Sequence, residues 1–328
     1  MSVPAAYAPG DAAWWSGRDD GDDPMLERWH QVVRPVDLRV ELPRLSGPAI
    51  ACVGYACDDG VSRNGGRRGA REGASKLRER LGNLPSVEGV SIVDAGEVAC
   101  GKSVLATQEA LAWAVERIVR LGGTPLVLGG GHDQAFGHFL GVAQAIGTAP
   151  ACINFDAHLD LRPVPGDGPN SGTPYTQAME WCRARGASFR YAVLGMQRGA
   201  NTRGLIARAE AAGVTMVDAE CLAIDMVDEV LDAVDAAAGE SEICLSIDLD
   251  VFAAAFAPGV SAPSAMGIAP DAAFRRVLRA ILSSGRVRGV EIAELCPERD
   301  IDDRTARLGA MLAFEVAAAM GDLRGRSA

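Results

Sequence analysis

The chain has 328 residues, 48% of them hydrophobic and 23% charged, with a formal net charge of -11. That length suffices for a large buried core in one domain or two small ones, and the acidic balance disfavours nucleic acid and anionic membranes as partners. No apolar run approaches the roughly eighteen residues a membrane span needs, and the opening MSVPAAYAPGDAAWWSGRDD has no basic head followed by an apolar stretch, so no secretory leader is expected.

In chain order, apolar runs at 32–42 and 49–56 read as strands. A glycine- and arginine-rich stretch, 58–73, follows and leads into a helix. Next come a strand at 90–96, a helix at 104–120, a strand at 124–131 and another at 151–158. The second half alternates: strand 190–196, helix 201–212, strand 214–220, helix 224–238, strand 242–252, helix 271–284, strand 287–295 and helix 304–321. Most strand runs are continuously apolar, as in strands covered on both faces of a parallel sheet. Alternating strands and helices predict an α/β fold, three layers deep, with a central and mainly parallel sheet. No composition shift, low-complexity tract or internal repeat divides the chain. It reads as a single domain, 1–328, with residues 1–40 as an N-terminal extension that either caps a site or meets a neighbouring subunit. The eight cysteines are scattered without a CxxC pair, and Cys52, Cys152 and Cys244 fall inside apolar runs. They read as small buried hydrophobes in a reducing, cytoplasmic setting.

In α/β sheets ligands bind beyond the carboxyl ends of strands, and there the chemistry-bearing residues stand. LVLGGGHD places His132 after a strand; ACINFDAHLD places Asp156, His158 and Asp160 at spacing two; LSIDLDVF does the same for Asp248 and Asp250. Spacing two along extended chain aims side chains to one side. So many carboxylates at one sheet edge repel unless a cation lies among them. Carboxylates with imidazoles suit manganese, iron or cobalt, and a pair of such ions activates water for hydrolysis. His30 and His138 read as structural or exposed rather than as ligands. Separately, a D-x-D or a GGGH is weak evidence, since glycines there can serve only a turn; together the three segments point to a metal site.

GGGHD (129–133), NFDAHLD (154–160) and SIDLDVF (246–252) resemble the ureohydrolase family of arginases, agmatinases and formimidoylglutamases. The resemblance runs from about residue 49 to 325. It implies an arginase-like fold and two Mn2+ per subunit. One ion would be held by His132, Asp156, Asp160 and Asp248, and the other by Asp156, His158, Asp248 and Asp250. It further implies a proton-transfer role for Asp160 and a substrate-amidine role for Glu294 in VEIAEL. Arginases and agmatinases carry a proton-transfer histidine beyond a Ser-Gly pair; here NSGTPYTQ (170–177) has Tyr175 at that position. That departure, with the loops at 58–73, GMQRGANT (195–202) and FAPGVSAPSAMG (256–267), resembles the formimidoylglutamase subgroup. The implied reaction is hydrolysis of N-formimidoyl-L-glutamate to L-glutamate and formamide, a late step of histidine degradation. Arg63, Arg67, Arg162, Arg198 and Arg203 are candidates for the substrate's two carboxylates, and Tyr175 joins Glu294 as a candidate substrate contact. A trimer or hexamer is implied. Two rival readings are another ureohydrolase acting on a guanidino substrate and a metal-binding protein without activity; the intact six-residue ligand set speaks against the second.

Overall fold

In a computed structural model, which describes residues 3–325, one ten-stranded sheet forms the middle of the molecule. Its strands are β1 (Tyr7–Ala8), β2 (Arg34–Pro35), β3 (Ala49–Ala56), β4 (Ser91–Ala99), β5 (Thr124–Leu128), β6 (Ala151–Phe155), β7 (Tyr191–Met196), β8 (Thr215–Asp218), β9 (Ile243–Asp248) and β10 (Val287–Ala293). The helices are α1 (Trp29–Val32), α2 (Asp59–Arg63), α3 (Gly73–Leu81), α4 (Val104–Arg120), α5 (Gln134–Ile146), α6 (Pro174–Ala184), α7 (Arg203–Ala211), α8 (Val227–Ala238), α9 (Ala272–Leu282) and α10 (Arg304–Gly325). The sheet order is β1-β4-β3-β5-β10-β9-β6-β7-β8, with β2 also on β4. All pairings are parallel except β1 with β4. The central strands β5, β6 and β9 are buried almost along their length, as their unbroken apolar runs predict.

Helices cover both faces. Residues of α3, α8, α9 and α10 share one apolar core with the sheet, and residues of α4, α5, α6 and α7 form two others across it. This is the expected three-layer α/β/α arrangement. Helix α4 starts where predicted because Ser103 caps it, its side chain accepting from Ala106 N at 3.2 Å.

One expected strand is corrected. Residues 32–42 pair with the sheet only at Arg34 and Pro35. Pro35 has no N–H to donate, which confines it to a sheet edge. Described residues of the N-terminal segment pack on β4, which β3 separates from β5, the nearest strand that leads to a metal motif. Trp15 donates through Nε1 to Asp94 on β4, stacks near Trp29, and Trp14 lies 4.7 Å from the Arg78 guanidinium. Arg78 is buried and bound to Asp94 at 2.9 Å and Glu97 at 2.8 Å, so the extension shields an ion pair.

Candidate metal centre and adjoining cleft

Four neighbouring strands, in the order β5-β10-β9-β6, end at the same edge, and each delivers site residues. After β5 the chain turns through Gly129 and Gly130, at φ of 65° and 86°. A side chain at Gly130 would strike the Tyr55 carbonyl at 2.2 Å, so only glycine fits both the angle and the space. The turn delivers His132. β6 leads to Asp156, His158 and Asp160, β9 to Asp248 and Asp250, and β10 to Glu294. Asp160 and Glu294 both hold left-handed backbone, at φ of 47° and 66°. Such a conformation costs a non-glycine residue on the order of 1 kcal/mol. That strain falls at two residues whose aim matters.

His132 Nδ1 lies 2.8 Å from Asp160 Oδ2, 3.1 Å from Asp248 Oδ2 and 3.2 Å from Asp156 Oδ2. One ring nitrogen serves one hydrogen bond, so three oxygens gathered about it outline a place for a cation. His158 Nδ1 lies 3.1 Å from Asp250 Oδ2 and 3.4 Å from Asp156 Oδ1. Asp156 therefore offers one oxygen to each imidazole. At this edge one compact group of potential ligand atoms comes from His132, Asp156 and Asp160 and another from Asp156, His158 and Asp250, so Asp156 belongs to both.

Backbone and neighbouring side chains aim these groups. The N–H of His158 donates to Asp156 Oδ1 at 2.7 Å, Asn154 donates to its Oδ2 at 3.0 Å, and the N–H of Asp250 donates to Asp248 Oδ1 at 2.9 Å. Ser246 Oγ sits 2.9 Å from His132 Nε2, which leaves Nδ1 facing the carboxylates.

The electrostatics call for added positive charge. Burial raises Asp250 and Glu294 well above the ordinary carboxyl range, with Asp248 adding to both. Burial, then the Asp156 charge, lifts Asp160 to about 6. Burial opposes a charge on His132, yet Asp248, Asp156 and Asp160 hold its pKa well above the usual imidazole value. Asp250 raises His158 similarly, against its burial. Asp250 Oδ1 is buried without a hydrogen-bond partner. Hard oxygen and imidazole donors with an unsatisfied oxygen fit a pair of divalent ions of the manganese type.

A cleft of about 200 Å³ opens onto this cluster. His132, His158, Asp160, Asp248, Asp250 and Glu294 line its floor, with Arg162, Asn64, Ser171, Asn201 and Ser261 on the walls. Among the described residues Arg162 is the one arginine in the lining, and its side chain has no ion-pair partner there.

The other expected substrate contacts lie elsewhere. Arg63 spends its guanidinium on the carbonyls of Pro169 and Asp167 and on the Asp167 carboxylate. Arg67 donates to the carbonyls of Val260 and Ser261. These two staple cleft-lining loops together. Arg198 pairs with Asp218 at 2.9 Å in an adjoining cleft. Arg203 is exposed at the start of α7, outside the lining. Tyr175 is buried, stacked on Tyr191 at 4.0 Å and edge-on to His132 at 6.0 Å, so it supports the centre from behind. His138 is buried near Glu291 and His30 binds the Gly82 carbonyl; neither lies in the cleft.

The sequence does not single out Asn64, Ser171, Asn201 or Ser246, although they stand in the segments 58–73, 170–177, 195–202 and 246–252. Asn201 accepts from Leu159 N and donates to the Ala157 carbonyl, fixing the segment that carries His158.

The arginase family model matches residues 48–319. The chain belongs to the arginase family. It is 41% identical over 319 residues to a formimidoylglutamase of Ralstonia nicotianae, covering 94% of this chain and 96% of that one. It is 42% identical to a formimidoylglutamase of Rhodococcus opacus, covering 90% and 92%. Among solved structures it is similar to Trypanosoma cruzi formiminoglutamase with Mn2+, with TM-score 0.75, 25% identity and coverage of 84% and 94%. The fold also matches formimidoylglutamase of Bacillus subtilis, with TM-score 0.78, 20% identity and coverage of 93% and 96%. For an arginase-family chain the left-handed aspartate and glutamate and the two-imidazole cluster form one centre at the strand ends.

Proposed function

We propose that this chain hydrolyses N-formimidoyl-L-glutamate to L-glutamate and formamide with two Mn2+ ions, as a step of histidine breakdown. The observation that carries the reading is the juxtaposition of an anionic floor with one unpaired arginine on the wall of a small cleft. A substrate with a cationic amidine end and an anionic amino-acid end matches that polarity. Identity of 41% and 42% to formimidoylglutamases supports it.

His132, Asp156, Asp160 and Asp248 would hold one ion, and Asp156, His158, Asp248 and Asp250 the other. When bound, the pair supplies Lewis acidity and lowers the pKa of water at the site. Glu294 pairs with the formimidoyl nitrogens by a charge-assisted hydrogen bond. One of its oxygens is already held by the His132 N–H, which orients the other. Arg162, helped by Asn64 and Ser171, receives the glutamate carboxylates. Asp160 carries a proton on its carboxyl oxygen to the amine nitrogen that leaves. The narrow cleft limits competing solvent around these charges.

We read residues 1–328 as one catalytic domain with residues 1–40 as an N-terminal extension. Assembly into three or six copies and a cytoplasmic location belong to the same proposal. Eight free cysteines support a reducing setting, and no helix among the described residues is long and apolar enough to cross a membrane.

The test is parallel turnover of N-formimidoyl-L-glutamate, L-arginine, agmatine and 4-guanidinobutyrate by the manganese-loaded protein. A preference of about a hundredfold or more for the first is expected. Preference for a guanidino substrate would overturn the substrate assignment while keeping the metal centre. Metal bound without turnover of any of the four would overturn the enzyme reading.

A further inference from the structure

Two cysteines outside the metal centre stand side by side. β3 and β4 run parallel, and Ala56↔Ala99 is their last paired position. The first residue beyond each strand is a cysteine, Cys57 and Cys100. Neighbouring parallel strands lie about 4.8 Å apart, within the Cα separation a disulfide spans. The two sulfurs and an Asp59 oxygen all lie within 4.8 Å of one another.

The environments of the two sulfurs differ in a useful way. Cys57 is fully buried. Cys100 is half-buried and opens onto a surface pocket of about 300 Å³, lined also by Arg71, Glu72, Ser75 and Glu97. Arg71 Nη2 lies 3.4 Å from the Cys100 sulfur. A cation beside a reachable thiol favours the thiolate, the form that reacts with oxidants. The neighbouring Cys57 thiol, with Arg71, brings Cys100 down to about 7 against its partial burial and the Asp59 carboxylate.

The molecule carries its own comparison. Cys152 and Cys244 are register partners, on β6 and β9. They are buried in the middle of the sheet, burial holds both thiols protonated, and the nearby charge is the Glu291 carboxylate. That pair has adjacency without access or activation; Cys57 and Cys100 have all three.

We propose that Cys57 and Cys100 form a peroxide-sensitive dithiol that closes to a disulfide across the ends of β3 and β4. The Cys100 thiolate attacks one oxygen of hydrogen peroxide; the O–O bond breaks, giving a sulfenic acid and hydroxide. The Cys57 thiol gives its proton to that hydroxide, and its sulfur attacks the Cys100 sulfur. The S–O bond breaks and a second hydroxide leaves as water on taking a proton from solvent, matching the one Cys100 had released. Two thiols and one peroxide become one disulfide and two waters. The cross-link would fix the point where the chain leaves β3 for α2. There the Cys57 carbonyl accepts from Gly131 N at 2.9 Å, one residue before His132.

The test exposes the full-length, manganese-loaded protein to stoichiometric hydrogen peroxide, alkylates the remaining thiols and maps the peptides by mass spectrometry. The expected result is a Cys57–Cys100 linked peptide, reversed by dithiothreitol, with Cys152 and Cys244 alkylated only after unfolding. The oxidised protein should melt about 2–5 °C higher than the reduced one. In Cys57→Ser the sulfenic acid has no resolving partner, so dimedone should label Cys100; in Cys100→Ser no linkage should form. Direct over-oxidation of Cys100 in the unaltered protein, with no linked peptide, would overturn the proposal. So would one Zn2+ held by Cys57, Asp59 and Cys100 that shields both thiols from peroxide and alkylation. Mapping on the unaltered chain decides the question even if a serine variant folds poorly.

Discussion

The backbone N–H of His132 donates to Glu294 Oε1 at 2.8 Å, so the loop that carries the His132 imidazole also sets the angle of the Glu294 carboxylate at the cleft floor. Glu294 needs that guide because its backbone is left-handed and its carboxyl is buried. Glu294→Gln keeps the accepting oxygen and removes the charge. Its expected effect is a fall in kcat/KM on the order of 30- to 1000-fold, as for losing a charge-assisted bond of about 2–4 kcal/mol. Metal content by elemental analysis should stay at that of the unaltered protein; loss of metal would move Glu294 from substrate binding to construction of the centre.

Asp248 presents Oδ2 to His132 and Oδ1 to the Asp250 N–H. Asp248→Ala is expected to lower bound manganese and reduce turnover by roughly three orders of magnitude or more. Because a ligand bound only to the folded state stabilises it, chelation should lower the Tm of the unaltered protein and shift that of the variant by less than half as much. Calorimetry with and without a chelator measures both.

Arg162 and the arginines outside the cleft make opposite predictions. Arg162→Met should raise KM for formimidoylglutamate roughly 10- to 100-fold, and Arg162→Lys should recover only part of it, because a lysine cannot form the planar two-point contact. Arg203→Ala and Arg198→Ala should change KM less than about twofold, in keeping with the small worth of exposed charges. Steady-state kinetics on all four variants separates the cleft from its surroundings.

Chelated protein should lose stability as pH rises from about 4 to 8. Asp160 is raised to about 6 and Asp133, by burial, to about 7, so the folded state keeps protons that the unfolded state releases near pH 4. Stability therefore falls through that window. The raised His132 and His158 act in the same direction: their contribution is full below the unfolded value near 6.5 and is lost at higher pH. Asp156, depressed by the two imidazoles against its burial, acts oppositely but only below its unfolded value. Bound manganese should reverse or flatten the slope, since protons and metal compete for one set of atoms. Urea midpoints at pH 5 and pH 8, with and without metal, test this; equal slopes would sink it.

Much of the sheet and the strand-end motifs were legible because their signals are local. A buried parallel strand writes a continuous apolar run, and spacing two puts Asp156, His158 and Asp160 together whatever the rest of the chain does. Helices α5 and α6 went unread for a physical reason. From Gln134 to Ala143 α5 is buried on all sides, so it carries no polar stripe to set a helical period. The strand expected at 32–42 failed because an apolar run cannot report that a segment only grazes a sheet edge. The substrate arginines were hardest. An acidic chain binds most of its arginines to its own carboxylates and carbonyls, as with Arg63 and Arg198, and only contacts between distant loops show that Arg162 is spared. Tyr175 was misplaced because its position in SGTPY does not reveal the Tyr191 ring against which it stacks.

The sheet order also dictates when the centre can exist during folding. β6 finds its neighbour β9 only after about ninety more residues have been made, and β10, which must slot between β5 and β9, comes later still. Such pairings bear a high loop-closure cost and form slowly. A chain emerging from the ribosome thus displays His132 and the Asp156–Asp160 segment long before Asp248 and Glu294 can join them. The six residues assigned to manganese are therefore all present only once β9 and the turn after it have been made, and Glu294 follows with β10.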